Sequence, residues 1–330
     1  MNLKKNFNTD SLKKHLEIIE INPDISYLTE NQKKVISYLI EATKIIDDVF
    51  FIQKYRRNLE LKEEIKNYNA LVVRSRTKVT EEIINNAENL KLIVRGGVGI
   101  DNIDKNAAER KSIAVKNTPK ASSISVAELA FGMMLSGVRR LTDATASMKE
   151  GKWEKKKFEG FELAGKTLGI IGYGNIGKSL AERAVAFCMN VLVYDPYVKE
   201  INIKGVTLTD LNTLLTSSDI ISIHCPKTNE TCNLINKETL AKMKDGVGIV
   251  NCARGGIVDE AALYEGLNSG KISFVGLDVY EKEPPAPDNP LFKCERVILT
   301  PHIGAQTFEG QERVSVEVAN VIKEFFLGKE

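Results

Sequence analysis

The 330-residue chain is 43% apolar and 27% charged, which suits two globular domains with a sizeable core, and its formal net charge of +2 gives no basic field for nucleic acid. No run of about 18 apolar residues occurs, and the leader "MNLKKNFNTD" lacks the apolar core of a signal peptide, so a cytoplasmic protein with no membrane partner is expected. The five cysteines (Cys188, Cys225, Cys232, Cys252, Cys294) lack metal-ligand spacing and sit in or near apolar runs, which predicts reduced, buried thiols and no metal site.

Residues 1–60 read as a dense, mostly helical segment with no strand–helix–strand opening. Its apolar residues Val35, Leu39, Ile46, Val49 and Phe50 would form an aggregation-prone patch if exposed. They are expected to pack as a helix on the following domain, whose sheet would begin at "ALVVRS" with an unpaired edge or a substitute cover. From residue 69 the strands "ALVVRS", "KLIVRGG" and "IAVKN" alternate with the helices "TEEIINNAENL" and "DKNAAERK". That alternation implies a parallel sheet with helices on both faces. One long amphipathic helix, "SISVAELAFGMMLSGVRRLTDATASMKEG", is then expected, capped by its serines and connecting two domains.

A second series follows. "KTLGIIGYG", "NVLVYD", "DIISIHCP", "GVGIVNCA", "ISFVGLDV" and "RVILTPH" are the expected strands, joined by "NIGKSLAERAVAF", "LTDLNTLLTS", "KETLAKMK" and "VDEAALYEGLNSG". The last of these helices ends at Gly270, a C-cap, and "EGQERVSVEVANVIKEFFLG" closes the chain as a helix.

In "GYGNIG", Gly172, Gly174 and Gly177 have the G-x-G-x-x-G spacing after an apolar strand and before a helix. The first glycine allows a tight turn, the second lets a pyrophosphate approach the backbone, and the third lets helix and strand pack closely. The helix opening at Asn175 and Ile176 offers free N–H groups and a positive dipole end. Asp195, about twenty residues on, can accept from both ribose hydroxyls and would repel a 2′-phosphate, which selects NAD over NADP. The plainer alternative is a strand-end aspartate capping the turn before Pro196, and ribose binding is preferred.

Three further groups lie at strand ends, where open α/β sheets bind ligands. Arg254 offers a planar donor fork to a carboxylate or ketone, and the flanking Gly255 and Gly256 would let a ligand approach the backbone. Asp278, Glu281 and Glu283 follow another strand, and His302 follows the last. His224 is read as lining or packing the cleft. A histidine, a carboxylate to orient it, an arginine and a dinucleotide suit hydride transfer at an alcohol or ketone carbon.

"LGIIGYGNIG", "VNCARGGIVDE", "GLDVYEKEPP" and "LTPHIGAQT" resemble, in order and spacing, the D-isomer-specific 2-hydroxyacid dehydrogenases, over roughly residues 61–326. "VVRSRTKVT", "VRGGVGIDNID" and "ATASMKEGKWEKKKFEGFELAGKTLGI" are most like the phosphoglycerate dehydrogenase branch, in a short form without an added regulatory domain. The resemblance implies an α/β fold of two doubly wound parallel-sheet domains. A Rossmann NAD-binding domain at 119–301 would be inserted in a flavodoxin-like substrate domain at 61–118 and 302–330. It implies NAD-dependent oxidation of D-3-phosphoglycerate to 3-phosphohydroxypyruvate, with His302 as acid–base residue, Glu283 as its partner and Arg254 as substrate anchor. Arg74, Ser75, Arg95 and the backbone at Gly97, Val98 and Gly99 would hold the substrate's anionic groups. Cys252, Ala253 and Asp278 would neighbour the cofactor. A homodimer or larger homo-oligomer around the long helix is implied, with Arg139 and Arg140 either reaching a neighbour's site or forming a solvated face.

Glyoxylate or hydroxypyruvate reduction on the same scaffold is the alternative chemistry. A dinucleotide-sensing interaction protein, or a hybrid damaged by its N-terminus, are alternatives of another class. Lys227 and Gln306 depart from the family's pattern. Residues 28–58 faintly resemble the N-terminal region of dipeptidyl-peptidase-III-like peptidases, whose zinc-binding histidine motif is absent.

Overall fold

The computed structural model describes residues 49–51 and 65–328. Two parallel sheets organise it. The first has strand order β1 (Val49–Phe51), β2 (Ala70–Val73), β3 (Leu92–Arg95) and β4 (Ala114–Asn117), all neighbours parallel. Helices α1 (Glu81–Asn86) and α2 (Lys105–Arg110) link its later strands. Strands covered on both faces read as unbroken apolar runs, and "ALVV" is buried throughout. Its period of two sorts the faces. Leu71, Val73 and Ile93 pack with Ile83, Ile84, Ala107 and Ala108. Ala70, Val72, Leu92 and Val94 pack with Val314, Val318 and Ile322 from the closing helix.

The edge of this sheet corrects the expected N-terminal helix at two positions. Val49 and Phe50 lie in β1, in register with Ala70 and Leu71, so β2 has a parallel neighbour and is not an open edge. A three-residue strand of β-branched and aromatic residues carries too little periodicity to be told from a helix fragment. Val35, Leu39 and Ile46, and the peptidase-like stretch apart from β1, lie outside the described residues.

The second sheet has seven parallel strands in the order β11-β10-β9-β8-β5-β6-β7. These are β5 (Thr167–Ile171), β6 (Asn190–Tyr194), β7 (Val206–Leu208), β8 (Ile220–Ile223), β9 (Val247–Asn251), β10 (Ile272–Leu277) and β11 (Val297–Leu299). On one face lie α3 (Ser123–Arg139) and α5 (Asn175–Ala186). On the other lie α6 (Leu211–Ser217), α7 (Lys237–Lys242) and α8 (Glu260–Ser269), the last ending at Gly270 with φ 78. Strand order reverses between β5 and β8, and the crevice beyond that switch is where such sheets take ligands. The edge strand β7 was not expected, because only Val206 of its three residues is buried.

The long helix is two helices. Arg140 breaks it with φ 52, and α4 (Leu141–Lys149) follows. The Arg140 side chain explains the break. It bonds Asp143, Glu295 and the Lys157 carbonyl, and lies over the Phe158 ring. Those contacts tie Arg140 down within this chain, whereas Arg139 is exposed. The serine caps differ from expectation too, since Ser122 makes no side-chain cap bond.

After β11 the chain returns to the first sheet as α9 (Phe308–Leu327). The two crossings are stitched together by Ser125 Oγ to Thr307 Oγ1 at 2.8 Å and Arg313 Nε to the Ala121 carbonyl at 2.8 Å. Of the cysteines expected to be buried, only Cys252 is; Cys188 and Cys232 are exposed, and Cys225 and Cys294 are half-buried. Among the described residues, no helix is long and apolar enough to cross a membrane, and no cluster of side chains could hold a metal ion.

Candidate active site

The glycine turn after β5 needs its glycines. Gly172 has φ 94, and a β-carbon there would lie 2.6 Å from the Cys225 nitrogen and 2.7 Å from the His224 carbonyl carbon. Gly177 lies so close to the Gly172 carbonyl that a β-carbon would overlap it. Gly174, the N-cap of α5, opens on empty space instead, with nothing within 4 Å of a β-carbon. Asn175 is exposed and Ile176 packs partly on the core. The Asp195 carboxylate is fixed beside the turn, accepting from Tyr173 N at 2.7 Å and Tyr197 N at 2.9 Å. It therefore caps the turn at Pro196 and keeps lone pairs for further donors. An open backbone cradle, the free N–H groups of a helix start and a fixed carboxylate fit a dinucleotide.

His224 follows β8 next to that turn. Its Nε2 pairs with Ser222 Oγ at 2.8 Å, and its buried Nδ1 has no partner among the described residues. Burial pushes the imidazole down to about 3, so it is neutral near pH 7 and unsuited to proton transfer there.

The loop after β9 is locked by Asn251, whose Oδ1 accepts from Ala253 N at 3.0 Å while its Nδ2 donates to the Arg254 carbonyl at 2.9 Å. Cys252 and Ala253 are buried, and the Cys252 thiol lies 3.7 Å from Met133 Sδ, its pKa raised by burial. The Arg254 guanidinium donates from Nε to Asp101 Oδ2 and from Nη1 to the Ala253 carbonyl, both at 2.7 Å. Gly255 and Gly256 are both needed for close approaches within the chain. A β-carbon at Gly255 would overlap the Tyr280 carbonyl, and one at Gly256 would meet the Lys227 ammonium.

The first sheet faces Arg254 with more arginine. Arg74 donates from Nη1 to Gln311 Oε1 at 2.7 Å, and Gln311 Nε2 donates to the Ala305 carbonyl at 2.6 Å. Burial, then the nearby Arg254 and Arg74 charges, push Arg95 down to about 10, with Asp101 opposing. Its Nε is buried without a partner among the described residues. Gly97 has φ 142 and makes room for the Arg95 guanidinium, as Gly99 does for that of Arg254. The backbone N–H groups of Gly97, Val98 and Gly99 have no acceptor among the described residues, and Ser75 is exposed. Three cations, unpaired N–H groups and one nearby carboxylate are chemically suited to an anion.

His302 Nδ1 lies 2.7 Å from Glu283 Oε2. Burial would raise the Glu283 carboxyl, but the hydrogen bond and charge of His302 hold it below the usual range. Tyr280 N, at 3.2 Å from Glu283 Oε1, fixes the carboxylate's other oxygen. Glu281, grouped with Glu283 by sequence, instead accepts from Glu260 N at the start of α8. Asp278, expected beside the cofactor, is 1% exposed and spends both oxygens on the His302 loop, accepting from Thr300 Oγ1 (2.6 Å), Ile303 N (2.7 Å) and Gly304 N (2.8 Å).

Sequence reading missed Asp101, Asn251, Tyr280 and Gln311. Asn251, at a strand end beside Arg254, carried a local signal. The partners of Asp101 and Gln311 lie 153 and 237 residues away, which no spacing rule reaches.

Residues 131–304 match the family model described as D-isomer specific 2-hydroxyacid dehydrogenase, NAD binding domain. A D-3-phosphoglycerate dehydrogenase of Archaeoglobus fulgidus is 54% identical over 265 residues, 80% of this chain and 50% of that protein. A hydroxypyruvate reductase of Thermotoga maritima is 50% identical over 287 residues, 86% of this chain and 94% of that protein. The chain thus spans about half the length of the phosphoglycerate dehydrogenases it matches but nearly all of the reductase. A solved D-lactate dehydrogenase of Aquifex aeolicus, complexed with NAD and lactic acid, superposes with a TM-score of 0.76 at 37% identity, over 90% of this chain and 93% of that one.

Proposed function

The chain belongs to the D-isomer-specific 2-hydroxyacid dehydrogenases, and from that premise we propose that it oxidises D-3-phosphoglycerate to 3-phosphohydroxypyruvate with NAD. The observation that carries this reading is that Arg74, Arg95 and Arg254 converge on one glycine run, where a β-carbon at Gly96, Gly97 or Gly99 would meet each in turn, while burial, then the Arg254 and Arg74 charges, lower Arg95. One substrate carboxylate needs one guanidinium fork. Three arginines with Asp101 as their nearby counter-charge suit a substrate with both a carboxylate and a phosphate.

In this reading residues 119–301 form the cofactor unit, and 61–118 with 302–330 form the substrate unit. NAD, when bound, supplies the hydride acceptor. Arg254 holds the substrate carboxylate, while Arg74, Arg95 and the N–H groups of Gly97, Val98 and Gly99 hold its phosphate. Neutral His302 takes the C2 hydroxyl proton on Nε2 as the hydride leaves. Glu283 holds the Nδ1 proton, which fixes the tautomer and stabilises the imidazolium. In reduction the imidazolium returns the proton. A homodimer or larger homo-oligomer belongs to the same proposal.

The second reading is hydroxypyruvate reduction, favoured by the near full-length match to the Thermotoga maritima enzyme. Steady-state kinetics with NADH separate the two. If the arginines serve a phosphate, kcat/KM for phosphohydroxypyruvate exceeds that for hydroxypyruvate, and the advantage shrinks with added salt. Equal kcat/KM values would transfer the assignment to the reductase.

A further inference from the structure

Arg254 and Asp101 face each other from different sheets. Asp101 stands in the loop after β3, Arg254 in the loop after β9, and their ion pair spans the two units at 2.7 Å. The Arg254 side chain is 27% exposed and that of Asp101 is 72% exposed. A guanidinium has five N–H donors. Asp101 takes the Nε donor and the Ala253 carbonyl takes one Nη1 donor. One Nη1 hydrogen and both Nη2 hydrogens remain. Gly99, with no β-carbon, leaves room for the Nη2 side of the guanidinium.

We propose that Asp101 is a positioning residue for Arg254: by holding the Nε edge it sets the guanidinium plane and leaves the Nη1/Nη2 edge for the substrate carboxylate. This rests on Arg254 being the substrate anchor. Asp101 has an opposing effect as well. Its charge lies beside an anion site and repels the substrate. The Arg254 charge and hydrogen bond, helped by Lys105, keep it ionised although burial acts the other way. A change that removes charge and geometry together would therefore mix two effects of opposite sign.

Two variants at one charge separate them. Asp101→Asn keeps an oxygen that can accept from Nε, and Asp101→Ala does not. Calorimetric titration of phosphohydroxypyruvate, and separately of hydroxypyruvate, into protein saturated with NAD reads the keto-acid Kd without turnover. The expected result is a Kd roughly tenfold weaker in Asp101→Ala than in Asp101→Asn, the scale of one hydrogen bond to a charged group. NADH affinity should be equal in both. Equal keto-acid Kd in the two variants would overturn the proposal. If Asp101→Ala melts early, Asp101→Leu, of similar shape to aspartate and without an acceptor, replaces it in the comparison. Arg254→Lys is the separate control. Unchanged keto-acid binding there would remove Arg254 as anchor, whereas weakened binding there with matched Asp101 variants would remove only the positioning role.

Discussion

His302 has φ 54, in the left-handed region that costs a residue with a β-carbon roughly 1–2 kcal/mol. Such a backbone persists when its surroundings over-determine it. Here the buried Asp278 does so, through Thr300, Ile303 and Gly304. Loop and ring are thus fixed separately, the loop by Asp278 and the ring by Glu283. His302→Ala removes the proposed base and leaves both supports and the glycine turn in place. We expect kcat to fall about 10²–10⁴-fold, with NADH affinity unchanged by fluorescence titration. Near-normal kcat would mean another group moves the proton. His302, Glu283 and Arg254 stand out in the sequence because each follows a strand, beyond the carboxyl ends where open α/β sheets take ligands. The role of Asp278 could not, since its acceptors serve a loop 22 to 26 residues on.

At the scale of elements, one of the tightest contacts between α3 and the second sheet is at Phe274. The Phe274 ring, 1% exposed, is held between Gly137 of α3 and Gly248 of β9, and a β-carbon at either glycine would overlap the ring. Gly137→Ala therefore sets two effects against each other. Helix propensity favours alanine by about 1 kcal/mol, while overpacking a fixed ring costs about 1–3 kcal/mol. The ring is confined on both sides, so the clash should win. Urea unfolding should show a net loss of up to about 2 kcal/mol. A gain in stability would mean that Phe274 can yield. The apolar runs made the buried strands of this sheet visible in advance, and the 3.6-residue pattern marked α3. The break at Arg140 stayed hidden, because its cause lies in Glu295, the Lys157 carbonyl and the Phe158 ring, none of them adjacent in sequence.

For the molecule as a whole, the two sheets stand on different footings. The seven-stranded sheet is built wholly from residues 167–299 and has its own helices on both faces. The four-stranded sheet is assembled from three parts of the chain: β1, the run 70–117, and α9 returning from beyond β11. A chain beginning at residue 61 loses β1 and bares the β2 edge, whose N–H and C=O groups would then be open to pairing with another chain. The glycine turn, Asp195 and α5 keep every contact described for them. NADH should consequently bind the shortened chain at full stoichiometry. Turnover should be weakened, because Arg74 and Arg95 stand at the ends of β2 and β3. Calorimetric NADH titration beside a turnover assay, with light scattering to follow association, tests this. A shortened chain that stays folded and monomeric yet no longer binds NADH would show that the cofactor cleft depends on the first sheet's edge, contrary to the separate assembly of the two sheets.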